Sequence, residues 1–531
     1  MKKLRIPAVI YLLFLASNAF GAERAPLVIV GEKGLKYTST KGGDRIPDFS
    51  YCGYRGGGVS LPEAKGVVLI KPNKTGDDTK RIQEALDKAG KRRPGRGGMR
   101  GAVLLSAGTY RVSGTLRMTQ SGVVLRGQGQ GEDGTVIIAT GTNKRSLIEI
   151  RGARRGGQET GGSRRAIADE RVPVGATSLT LAPGKSLKRG DTIIVFRAVN
   201  QEWISALGTD KLNRGPDDDV KNWTTKEYGL PFERIVTAVK GNTITVNSPI
   251  VCAIEKKYGG GYVYKHKPDL RASNIGVEDL RMVSEYQKGK QTSDENHAWD
   301  GIKIMFTVDS WVKNVTAVFF GYSCVNISSS SSQITVQDCA CIDPVSRIHG
   351  GRRYSFALAG QRCLIQRCYT RLGRHDYVMH ARVPGPNVFL DCVADNTRSD
   401  SGPHHRWSTG TLYDNIKCGR LNVQWRGRSG TGHGWAGANM VFWNCRTTGI
   451  DCDKPPTANN YTIGCTGKIT GKGYVESAGK PVNPRSLYLQ QLKERLGEKA
   501  LKAVTIPEQL DGPIDDLVRE KRAPRAKSLY Y

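Results

Sequence analysis

The sequence predicts an all-β chain wound as a single-stranded parallel β-helix, and three observations carry that prediction. A short phrase recurs: Val336-Gln337-Asp338-Cys339, Ile365-Gln366-Arg367-Cys368, Phe389-Leu390-Asp391-Cys392, Asn415-Ile416-Lys417-Cys418, Phe442-Trp443-Asn444-Cys445 and Ile463-Gly464-Cys465. Val277-Glu278-Asp279-Leu280 and Val312-Lys313-Asn314-Val315 fit the same frame with an aliphatic residue in the last place. The steps between these last places are 35, 24, 29, 24, 26, 27 and 20 residues, the period of a solenoid turn. Each unit alternates apolar and polar residues, then turns through Gly, Ser, Asn and Asp, with no helical spacing between units. An antiparallel sandwich would instead turn every ~8–12 residues and keep no cysteine in phase.

In chain order, Lys2, Lys3 and Arg5 precede an apolar run from Ile6 to Ala16, and Ala19 and Gly21 suit a cut before Ala22. Residues 1–21 therefore read as a secretory signal peptide. Beyond them no apolar stretch reaches the ~18 residues that span a bilayer. The expectation is a secreted or periplasmic protein, without stable membrane insertion. Its net charge of +31 then points to an acidic polysaccharide rather than nucleic acid as partner. A hydrophobic content of 38% excludes wholesale disorder.

Residues 22–165 read as an N-terminal cap and the first coils. Gly76-Asp77-Asp78-Thr79 opens an amphipathic helix, with Thr79 as the expected cap and Ile82, Ala85 and Leu86 as its apolar stripe. Residues 166–265 interrupt the repeat, with strands at 172–181, 191–196, 235–239 and 243–246 around a polar stretch holding Trp203 and Trp223. This is either a small β insertion walling a groove or an elaborated coil with one long loop. Residues 266–475 form the main helix with the active face. In the tail, 476–531, residues 484–504 have helical spacing and 519–531 are basic and loosely ordered by expectation. Most of the 12 cysteines become a stacked column of small apolar core side chains, with room for one or two disulfides.

The phrases Asp77-Asp78-Thr79 with Ile82-Gln83-Glu84-Ala85-Leu86, Ala107-Gly108-Thr109-Tyr110, and Gly122-Val123-Val124-Leu125-Arg126-Gly127 resemble the opening of the pectate-lyase-like right-handed parallel β-helix proteins. The resemblance covers about 70–150 by motif and 270–475 by rung pattern. It implies a right-handed solenoid capped by an N-terminal helix. It does not single out one activity, because that superfamily includes polysaccharide lyases, glycoside hydrolases, epimerases and phage tailspikes.

The chemistry is expected on one face. Seven of the eight histidines lie between 297 and 433. Counted from the cysteine of each phrase, His349 is at +10, His380 at +12, His404 and His405 at +12 and +13, and Arg428 at +10. Arg347, His375, Tyr377 and Arg426 fall in the same band, and successive rungs stack ~4.8 Å apart. Between 341 and 433 there are 14 Lys+Arg, 13 of them Arg, against six Asp. The guanidinium fork suits carboxylates; protection of exposed strand edges is the plainer alternative, but it explains neither the histidines nor the bias to Arg.

Such a face suits β-elimination on a uronic acid polymer. Cations neutralise the uronate carboxylate, His takes the α-proton, and Tyr protonates the leaving oxygen. The expected catalytic residues are His405 or His404 as base, Tyr377 as acid, His380 and Arg406. Substrate would be held by Arg347, His349, His375, Arg382, Trp407, Arg426, Arg428 and His433. No cofactor is required, with calcium left open, and a monomer is expected. A glycoside hydrolase is the alternative enzyme. It needs two facing carboxylates, drawn from Asp300, Asp376, Asp395 and Asp400, and Gly432-His433-Gly434 resembles the GHG phrase of polygalacturonase-like hydrolases. Their paired-Asp phrases are missing here. A non-catalytic carbohydrate-binding β-helix is the third reading.

Overall fold

The structure, a computed structural model, describes residues 26–153, 157–267 and 270–522. The expected signal peptide and residues 523–531 lie outside the described residues. Three parallel ladders wind into one solenoid. The first runs from Gly66–Ile70 through Gly101–Leu105, Val123–Arg126 and each phrase named above to Tyr474–Glu476. The second follows each phrase across a corner, as Ala340–Ile342, Tyr369–Arg371 and Val393–Asp395 do. The third stacks Leu116–Met118, Ser146–Arg151, Asp300–Met305, Ser323–Ile327, Phe356–Leu358, Tyr377–Met379 and Asp400–Pro403. This last ladder continues into residues 420–423 and 449–452.

The corner between the first two ladders explains the repeating phrase. Asp279, Asn314, Asp338, Arg367, Asp391, Asn415 and Asn444 all have φ between 50 and 58°, the left-handed region that Asn and Asp tolerate best among residues with a side chain. The residue after each turns inward. Cys339, Cys368, Cys392, Cys445 and Cys465 are fully buried there. All 12 cysteines are free thiols, so the room left for disulfides is not used. One rung departs from the expected register. Lys417 pairs with Val393, the residue after Cys392, so Ile416 fills the column and Cys418 lies two residues beyond it. The cue was present, because Asn415-Ile416 matches Asp391-Cys392 more closely than Lys417-Cys418 does.

The helix Thr79–Gly90 closes one end of the core, burying Ile82, Ala85, Leu86 and Ala89 against Val103, Leu105 and Leu116. Asp78, not Thr79, is its N-cap. The Thr79 hydroxyl instead accepts from the amides of Ser113 and Gly114. Residues 27–52 run along the first ladder, where Phe49 and Cys52 pack with Leu364, Leu412 and the C-terminal helix Leu487–Lys502. Within the basic tail, Asp515–Arg522 is helical, and Arg519 and Arg522 reach Asp395 and Asp338 on the solenoid.

Residues 165–265 form a separate six-stranded antiparallel sheet with its own core around Trp203, Trp223, Tyr228 and Phe232. Of the two expectations for this segment, the structure has the insertion rather than the long loop. It leaves and rejoins between neighbouring rungs, since Val123–Arg126 stacks directly on residues 276–278. Trp203 and Trp223 lie in a polar stretch of sequence. Both indoles are in fact buried, and Trp407 of the solenoid joins them edge-on, 4.9 Å from Trp203.

Candidate active site

The third ladder carries the site. Along Tyr377–Met379 the alternation sends Tyr377 and Met379 into the core and Val378 outward, so His380 also faces out. The small outward residues Ala357, Val378 and Gly402 make a floor. Side chains fold over it from both ends of the strands. Tyr354 and His375 stand two residues before Phe356 and Tyr377, which are paired rung to rung. His380 and His404 follow Met379 and Pro403, also paired. The equal offsets counted from the cysteines thus do bring His380 and His404 to neighbouring rungs.

The rings form one continuous cluster. His375 and His404 lie 4.5 Å apart, His404 and His405 5.2 Å, His404 and His433 5.3 Å, and His405 and His433 4.9 Å. Tyr354 sits 5.1 Å from His375, 5.3 Å from His404 and 6.1 Å from His380. The Tyr322 hydroxyl reaches His380 Nε2 at 3.4 Å.

Hydrogen bonds assign two of the imidazoles. Asp400 O can only accept, so His375 Nδ1, 2.7 Å away, carries the proton. The Asp400 carboxylate is 3.5 Å from the same nitrogen. His375 Nε2 is then a buried lone pair without a partner. His404 has the reverse arrangement. Arg426 Nη1 donates to its Nδ1 at 2.9 Å, and a guanidinium only donates, so His404 presents Nε2–H.

Burial and neighbouring charges hold four of the imidazoles in the neutral form. Burial and then the charges of His375 and Arg426 push His404 far below the usual imidazole range. Burial and His433 lower His405 to about 2, and burial alone lowers His380 to about 4. Burial followed by Arg426 and Arg406 lowers His433 to about 4. Burial would raise the Asp400 carboxyl, but the hydrogen bond and charge of His375 outweigh it and hold it below the usual carboxylate range. Burial raises the Tyr354 phenol, against the charges of Arg374 and Arg426.

Several expected roles need correction. Tyr377 is interior: it is fully buried and its hydroxyl donates to the carbonyls of Cys368 and Val393, so it cannot meet a sugar. Trp407 is 1% exposed and belongs to the seam with the insertion, which removes it as a stacking platform. Arg428 faces the insertion, where it pairs with Asp218 and donates to Leu212 O. Arg347 and His349 are exposed in the loop preceding Tyr354, and the described ring contacts of the cluster do not include His349. Arg406 holds Thr431 and Gly432 O, fastening the loop that carries His433. Arg382 lies 5.4 Å from the Tyr228 ring of the insertion, which therefore walls this end of the site. The GHG phrase is also explained by the wall. A Cβ on Gly432 would fall 2.4 Å from Lys221 O, and one on Gly434 2.4 Å from the Trp223 ring.

Sequence reasoning missed Tyr354, Tyr322 and Asp400's role beside His375. A usable signal was present for Tyr354: Tyr354-Ser355-Phe356 and His375-Asp376-Tyr377 share the pattern of a ring two residues before an inward aromatic. The long loop 343–353 hid the match. Among the described residues, no group of three or more His, Cys, Asp or Glu side chains is arranged to hold a metal ion.

No family model and no curated protein matches this chain. Solved structures do. The tailspike protein gp49 from Pseudomonas phage LKA1 is 15% identical with a TM-score of 0.43, over 76% of this chain and 56% of its own. An alginate lyase from Paenibacillus sp. str. FPU-7 is 8% identical with a TM-score of 0.38, over 78% and 98%. An endo-xylogalacturonan hydrolase from Aspergillus tubingensis is 11% identical with a TM-score of 0.31, over 78% and 93%. The fold is a parallel β-helix, as its three stacked parallel ladders show. These likenesses carry no inference about activity. The chain spans 56 to 64% of the length of that tailspike and of two further phage or virus proteins to which it is similar.

Proposed function

We propose that this protein is a polysaccharide lyase that cleaves a uronic-acid-containing polymer by β-elimination, exported to the periplasm or beyond. The observation that carries this reading is the His375–Asp400 pair, with Arg426 beside Asp400, Arg374 beside Tyr354 and Arg406 beside His405. His375 Nε2 takes the α-proton once a sugar parts the Tyr354 and His404 rings, and Asp400 stabilises the imidazolium that forms. The arginines and His404 Nε2–H neutralise the uronate carboxylate as negative charge builds up on it. Tyr354 protonates the leaving glycosidic oxygen. This moves the base from His404 or His405 to His375, and the acid from Tyr377 to Tyr354.

A hydrolase would need two carboxylates facing each other across the bond. Asp300 is buried on Ser146 and Ser323, and Asp376 is buried on Ser355 and Thr370. Asp395 lies on the second ladder, paired with Arg519. Of the four named carboxylates, only Asp400 touches the cluster. The test is a panel of pectate, alginate, chondroitin, hyaluronan, heparin and ulvan, read by the ultraviolet absorbance of an unsaturated uronide. New reducing ends without that absorbance would overturn the lyase reading in favour of a hydrolase. Binding without either product would favour a carbohydrate-binding solenoid.

A further inference from the structure

One rung past the histidine cluster, on the same ladder, lies a polar cavity of about 600 Å³. Its walls include Arg398, Ser399, Asp400, Asn422, Gln424 and Asp451. Three features suggest a ligand. Asn422 is 1% exposed, yet its Oδ1 has no hydrogen-bond partner, a costly state for a buried acceptor unless something donates to it. Arg420 is committed to Asp451, whereas Arg398 has no carboxylate partner among the described residues. Lastly, Asp400 belongs to both places. Its carboxylate stands beside His375 and accepts from the Ser399 hydroxyl at 2.8 Å while lining this cavity.

We propose that this cavity is a saccharide subsite whose occupancy is transmitted to His375 through Asp400. A pyranose supplies hydroxyl donors for Asn422 Oδ1 and Asp400, and a uronate carboxylate for Arg398. A bound sugar that donates to Asp400 fixes the carboxylate against His375 Nδ1, so filling the subsite raises turnover as well as affinity. Asn422 and Arg398 are binding residues in this scheme, and Asp400 is a positioning residue. The coupling rests on the lyase reading; the subsite itself does not.

The experiment uses short and long oligouronides cut from whichever polymer yields unsaturated ends, with kcat and KM measured separately. For the wild type, kcat rises with length by roughly tenfold, the worth of one charge-assisted hydrogen bond. In Asn422→Ala and in the surface variant Arg398→Ala, the ratio of long-chain to short-chain kcat falls towards one. A ratio unchanged in both variants would overturn the proposal, and so would a change confined to KM. If no polymer yields unsaturated ends, calorimetric titration with galacturonate and mannuronate oligomers separates the two ideas. Weaker binding in both variants supports the subsite while the lyase reading falls; binding equal to wild type, or none to any protein, overturns the subsite too.

Discussion

Replacing Asp400 by Asn tests the proposed base most directly, because the structure separates its two contributions to His375. The backbone carbonyl of residue 400 fixes the Nδ1–H tautomer from 2.7 Å, and Asp400→Asn leaves that bond in place. Only the carboxylate charge, 3.5 Å from Nδ1, is lost. A unit charge pair at that distance is worth about 5 kcal/mol at an effective dielectric of about 20, and about 2 kcal/mol at about 40. The carboxylate is partly open to solvent, so the lower figure is the better guide, equivalent to roughly 30-fold in kcat. Removing the base itself in His375→Ala should cost ~10²–10⁴-fold. The assay is the initial rate of unsaturated-uronide formation across a pH series. Unchanged kcat in Asp400→Asn would refute the assignment, as would a loss equal to that of His375→Ala.

Two tyrosines should behave oppositely. Tyr377→Phe removes a hydroxyl that bonds two buried carbonyls, costing about 1–2 kcal/mol of stability by denaturant titration with activity largely retained. Tyr354→Phe should keep its Tm and lose at least ~10²-fold in kcat. The 12 thiols, all free and buried, should resist a thiol reagent in the native state and all react after unfolding without reductant. Acid should destabilise the fold in a defined window. His380 and His433 are lowered from 6.5 to about 4, so between those values the unfolded chain binds more protons than the folded one. Tm is therefore expected to fall as pH drops from about 6.5 to about 4, and His380→Gln should flatten that slope.

The solenoid was legible because its signal is local and repeated. One left-handed corner residue followed by one inward residue recurs at 338–339, 367–368, 391–392 and 444–445, and stacking demands that repetition. The site was legible only in part. His380 and His404 could be aligned because each follows a cysteine by the same 12 residues along turns of equal length. Tyr354 could not, since its rung holds a longer loop. Tyr377 was misplaced for a different reason: a band of offsets ignores the alternation that turns residue 377 inward and 378 outward. Trp407 and Arg428 look like ligand-binding residues in sequence. What they bind is the insertion, through Trp203 and Asp218, contacts that no local pattern can anticipate.

The arginine surplus between 341 and 433 serves two ends that composition merges. Arg352, Arg362, Arg367, Arg371, Arg420 and Arg428 are committed to carboxylates elsewhere in the fold. These pairs also commit the acidic residues. Asp343 is held by Arg371, Asp391 by Arg485 and Asp395 by Arg519, while Asp376 and Asp414 are buried on hydroxyls. Of the six aspartates in the band, only Asp400 is left to reach the site. What faces the groove is then a set of guanidinium groups around His404, His405 and His433, which burial and those same charges keep neutral, and His380, which burial alone does. A uronate carboxylate entering there meets cations already in place and imidazoles still able to accept a proton. An abundance of protonated histidine could neutralise the carboxylate but could not take the α-proton, and a groove with more carboxylates would repel the polymer. Removing acid from the groove while holding histidine neutral meets both requirements of an elimination.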